Sequence, residues 1–61
     1  MTRNEIETIM NNTRTQGQRT RAVSRIIAMC DAPLEIRQRT HAHVLTLCDS
    51  AAVDHMSQLF E

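Results

Sequence analysis

No lysine, tryptophan or tyrosine occurs among the 61 residues, and glycine, proline and phenylalanine occur once each. A single glycine, Gly17, excludes the usual phosphate loops, which need several flexible positions to bring backbone amides around an anion. With Phe60 as the only aromatic ring of its kind, stacking on nucleic-acid bases has almost no material to work with. Two cysteines, Cys30 and Cys48, are too few for a secreted disulfide scaffold. No apolar run is longer than residues 26–30, far short of the ~20 residues that a membrane helix requires. The expectation is a soluble, cytoplasmic protein with no leader and no membrane association.

Charge is present but unevenly placed. The formal net charge is zero, yet residues 1–30 carry five arginines against Glu5 and Glu7. Residues 31–61 carry Arg37 and Arg39 against Asp31, Glu35, Asp49, Asp54 and Glu61. The two halves therefore attract each other, within one chain or between chains. All the basic side chains are arginine, whose planar fork matches carboxylate and phosphate. GC-rich coding gives the same preference.

Helical periodicity dominates what remains. Thr2 and Glu5 have the spacing of a capping box, so a helix starts here. It continues through Ile6 and Ile9, and steps of three and four lead on to Val23 and Ile27. Between residues 13 and 20 the pattern weakens, because Thr13, Gln16, Gly17 and Thr20 occupy the apolar positions. Two readings follow: one helix over residues 2–30, or a break near residues 13–18. The unslipped phase favours the continuous helix. Asp31 and Pro33 then mark a turn, since proline suits the first turn of a helix and aspartate its cap. A second helix over residues 33–60 carries the seam Leu34, His41, Leu45, Cys48, Ala52, His55 and Leu59, with an irregularity allowed at residues 49–50.

Residues 1–61 are therefore expected to form a single all-α domain, an antiparallel two-helix hairpin with arms of ~40 Å. So short a chain buries only about 60% of its unfolded surface. Added burial is then expected from a homodimer, two hairpins making a four-helix bundle along Ile6, Ile9, Val23, Ile27 and the seam of the second arm.

The residues of possible chemical interest resolve into few sites. His41, Cys48 and His55 recur every seven residues, about 10 Å apart along a helix, so no two share a metal ion within one helix. Cys30 and Cys48 lie too far apart on the hairpin for a disulfide and read as small core residues. Asp54, His55 and Ser57 have the letters of a hydrolase triad, but on a helix they point apart and no oxyanion donor accompanies them. No catalytic, cofactor or metal residues are assigned. Arg14, Gln18, Arg21 and Arg25 follow steps of four, three and four and make one polar, basic stripe beside the apolar seam.

A hairpin of this length with a turn at Asp31 and Ala32 resembles the small RNA-binding Rop proteins of plasmid copy control. Thr2, Glu5, Asn11, Arg14, Gln18 and Arg25 fall near comparable residues of that family, as do His41 and His43. Arg37, Thr40 and Asp54 stand where the family keeps apolar or small residues, so the resemblance implies a similar architecture and RNA binding is not carried over.

The functional expectation is a small non-enzymatic regulatory protein, of a kind that phages and plasmids encode. As a homodimer it would bind and inhibit or redirect another protein through Arg14, Gln18, Arg21 and Arg25. The alternative partner for the same stripe is RNA or DNA.

Overall fold

The computed structural model describes residues 1–61, and it is all-helical. Four α-helices follow one another: α1 (Arg3–Asn11), α2 (Gln16–Ala28), α3 (Leu34–Val44) and α4 (Asp49–Ser57), with a closing 3₁₀ turn at Gln58–Phe60. No strand occurs, and no helix is long and apolar enough to cross a membrane.

The capping box forms as the sequence implies. Thr2 Oγ1 accepts from the Glu5 N–H at 3.2 Å, and Glu5 Oε1 accepts from the Thr2 N–H at 3.0 Å. The Thr2 backbone N–H, followed by the Thr2 hydroxyl, holds the Glu5 carboxyl below the usual carboxylate range.

The continuous helix over residues 2–30 is not present. α1 stops at Asn11, and Thr15 swings into extended backbone (φ −124°, ψ 160°), where Oγ1 caps α2 by accepting from the Gln18 N–H at 3.1 Å. Gln18 Oε1 reaches back to accept from the Arg14 N–H at 2.8 Å, and the Thr13 hydroxyl donates to the Met10 carbonyl at 2.7 Å. Of the residues that weakened the seam, Gln16, Gly17 and Thr20 lie inside α2, whereas Thr13, with its neighbours Thr15 and Gln18, is a capping residue. These last three satisfy the backbone groups that a helix break exposes. Gly17 lies within the first turn of α2 without a positive φ, so it is not the bend.

The expected helix over residues 33–60 is likewise two helices. Pro33 takes the N-cap position of α3 in place of Asp31, which lies outside the helix. After Val44 the chain turns, the Thr46 hydroxyl donates to the His43 carbonyl at 2.6 Å, and Cys48 becomes the N-cap of α4. Arg19 of α2 secures this turn. It donates to the Leu45 and Leu47 carbonyls, which the break leaves without helical partners, and its Nε lies 3.0 Å from Asp49 Oδ1. Its side chain is only 13% exposed.

The helices close a cycle, α1 packing on α2 and α4, and α3 on α2 and α4. Ile6, Met10, Val23, Ile26, Val44 and Met56 are fully buried at its centre. The longest dimension is 29 Å, shorter than the ~40 Å of a straight hairpin arm. The two breaks thus let one chain wrap its own core, where two rods would leave their apolar flanks open.

Candidate interaction faces

Six of the seven arginines fall into two groups, with Arg37 apart on α3. Arg3 pairs with Asp54, Arg19 with Asp49 and Arg39 with Glu35. Two of these pairs join the basic first half to the acidic second half, as the charge division implies. Arg14, Arg21 and Arg25 pair with no acid and are exposed. Arg14 sits in the α1–α2 turn, while Gln18, Arg21 and Arg25 lie on one side of α2. Gln18, Arg21 and Arg25 line a groove with Ile9, Asn12, Thr13 and Ala22. Three members of the sequence-derived stripe, Gln18, Arg21 and Arg25, thus share a groove to which α1 adds Ile9, and Arg14 is not among its lining residues. Arg19, adjacent in sequence, faces the other way into the α3–α4 turn.

A second surface lies at the α2–α3 turn. Met29 is 64% exposed, Leu34 62% and Ile36 39%, and these are the large apolar side chains that the fold leaves open. Beside them Ile27, Ala28 and Leu34 wall a groove of about 400 Å³, whose polar edge is Ser24, Arg37, Gln38 and His41. Ser24 Oγ and His41 Nε2 are 2.9 Å apart across the two helices. Arg37 is half-buried, and its Nε is shielded from solvent with no hydrogen-bond partner in the chain. Sequence periodicity placed Leu34 on the seam and gave no sign that Leu34, Met29 and Ile36 would all be left exposed.

The seam residues are divided by the fold. Ile6, Val23, Ile27 and Ala52 are buried within the single chain, so their cover needs no second copy. Ile9, His41, Leu45, His55 and Leu59 are half-buried, and Leu34 and Cys48 are exposed. Beside Ala52, the buried positions of α3 and α4 are Thr40, Val44, Val53 and Met56, none of them on the expected seam. The break at residues 45–48 resets the helical phase, which shifts the inward face away from the seven-residue series.

Both cysteines are free. Cys30 is buried as expected, but Cys48 is exposed and not a core residue. Its sulfur makes no full capping hydrogen bond. The Ala51 backbone N–H, and after it the Ser50 hydroxyl, nevertheless favour the thiolate and lower the Cys48 pKa below the usual thiol value.

The triad letters separate. The Asp54 carboxylate is on Arg3, the Ser57 hydroxyl donates to the Asp54 carbonyl at 2.8 Å, and the His55 ring packs on His43 with centroids 4.8 Å apart. No three histidine, cysteine or acidic side chains gather where they would hold a metal ion.

No protein-family model matches the chain, and neither does any curated protein or solved structure.

Proposed function

We propose that this chain is a small non-enzymatic regulatory protein that acts as a homodimer and binds another protein, inhibiting or redirecting it, through the face of Arg14, Gln18, Arg21 and Arg25. One observation carries the reading: three arginines of this face have no acidic partner in a fold that pairs three others. Guanidinium groups around the apolar floor of Ile9 and Ala22 have the mixed character of a protein interface, where arginine is enriched. The matching partner carries carboxylates around an apolar anchor.

Nucleic acid is the second reading, and the line of unpaired guanidinium groups along α2 favours it. Against it stand a formal net charge of zero and a half-buried Phe60 that offers no stacking platform.

Affinity capture from the native host lysate, with and without nuclease, separates the two. A protein retained after nuclease and lost with the Arg14→Gln, Arg21→Gln, Arg25→Gln triple variant is the expected result. Loss of all captured material on nuclease treatment, with affinity falling log-linearly as salt rises, supports the second reading. Capture unchanged in the triple variant removes the face from either function.

A further inference from the structure

We propose that His43 and His55 form a two-histidine site for a divalent metal ion of the zinc, copper and nickel class, held between the end of α3 and α4. The site is separate from the arginine face and does not depend on the homodimer reading.

The spacing of the rings leads here. They come from different helices, and their centroids lie 4.8 Å apart with the planes tilted by 59°. A bond of about 2.0–2.1 Å from metal to imidazole nitrogen puts the ion about 3.2 Å from each ring centre. Two rings on one ion are then about 4.5 Å apart for a right-angled pair and about 5.2 Å for a tetrahedral one. The observed separation falls between the two. No single helix could supply such a pair, because His41, Cys48 and His55 are spaced too widely along an axis. The bend between α3 and α4 brings in His43, which stands outside that series.

Both rings are free and reachable. His41 Nε2 is engaged with Ser24 Oγ at 2.9 Å, whereas the rings of His43 and His55 make no hydrogen bond or ion pair. His43 is exposed and His55 half-buried, so an ion enters from solvent, and water completes the positions that two protein ligands leave open. The backbone beneath them is already fixed. The His43 carbonyl accepts from the Thr46 N–H at 3.0 Å and from the Thr46 hydroxyl at 2.6 Å, and Arg19 ties the following turn through the Leu45 and Leu47 carbonyls. Little ordering is left to lose on binding, so the second ring adds to affinity at small entropic cost.

Electrostatics and ligand type select the ion. Each ring stands in the last turn of its helix, where the dipole favours positive charge. Arg39, one turn before His43, is paired with Glu35. Imidazole suits Zn²⁺, Cu²⁺ and Ni²⁺, whereas Mg²⁺ and Ca²⁺ take oxygen ligands.

Titration of the full chain with ZnCl₂, read by calorimetry and by the ring proton resonances of the histidines, tests this. One ion per chain is expected to bind at micromolar Zn²⁺, with shifts at His43 and His55 and none at His41. His43→Phe and His55→Phe keep a ring in contact and remove its nitrogens, so each should weaken binding about 100-fold or more. Cys48→Ser should leave binding unchanged, and MgCl₂ should not bind. Zn²⁺ at ten times its Kd should raise Tm by roughly 5–10 °C in the wild type and not in the Phe variants. No saturable binding below millimolar Zn²⁺, loss of binding with Cys48→Ser, or binding unchanged in either Phe variant overturns the site. If His55→Phe does not fold, His43→Phe decides alone, its position being exposed.

Discussion

At the scale of single residues, position in the fold separates side chains that the sequence writes identically. Arg19 and Arg21 are two residues apart, yet Arg19 closes the α3–α4 turn while Arg21 stands free in solvent. Arg21 and Arg25, four apart on α2, line one groove with Gln18, and Arg19 falls outside it. The two cysteines divide in the same way. Cys30 is buried, whereas Cys48 is exposed at the start of α4, where the Ala51 N–H and the Ser50 hydroxyl favour its thiolate. The nucleophile is the thiolate, so a lowered pKa means that reactivity appears at a lower pH than for an ordinary thiol. Iodoacetamide should therefore label Cys48 in the folded protein well before Cys30, with a pH midpoint below the usual thiol range, read by intact-protein mass spectrometry. Equal labelling of the two, or a midpoint at the usual value, contradicts this arrangement.

At the scale of helices and turns, the caps decide where the chain bends. Thr15 holds the start of α2 by a side-chain bond, and Gly17 sits in the following turn in ordinary helical backbone. A β-carbon at Gly17 would meet nothing nearer than Thr15 Oγ1 at 3.9 Å. Gly17→Ala should then stabilise the fold by about 0.4–1 kcal/mol, through a less flexible unfolded chain, and Thr15→Ala should destabilise it by about 1 kcal/mol. Each kcal/mol corresponds to about 4–8 °C in Tm for a domain of this size, so thermal melts followed at 222 nm resolve both signs. A stabilised Thr15→Ala would show that the cap does not hold the break. Much of this was legible beforehand: the helical class, the capping box at Thr2 and Glu5, the stop before Pro33, and a weak stretch at residues 13–18. What misled was phase. Ile6, Ile9, Val23 and Ile27 keep a common three-four register, and a continuous helix is the simplest object with that property. Two helices folded against one core preserve it equally, because each turns its own stripe inward. In the second half the break at residues 45–48 shifted the phase, so the series of Leu34, His41, Cys48 and His55 follows no single face.

At the scale of the whole molecule, the bends remove the need for a second copy to cover the core. A straight hairpin would need a partner to cover its core, but here α1 to α4 bury Ile6, Met10, Val23, Ile26, Val44 and Met56 among themselves. What the fold leaves on the surface are the exposed Met29, Leu34 and Ile36 and the unpaired arginines along α2. The arginine face depends on α1 folding back against α2, since that contact brings Ile9 beside Arg21 and Arg25. Methyl nuclear Overhauser spectra test it most directly. Ile6 and Met10 of α1 belong to the same buried cluster as Val23 and Ile26 of α2, and contacts between these two sets of methyl groups are predicted. A continuous helix would hold Met10 and Val23 about 20 Å apart, so an absence of such contacts, with unbroken helical amide connectivities from Asn11 through Gln16, would contradict the account.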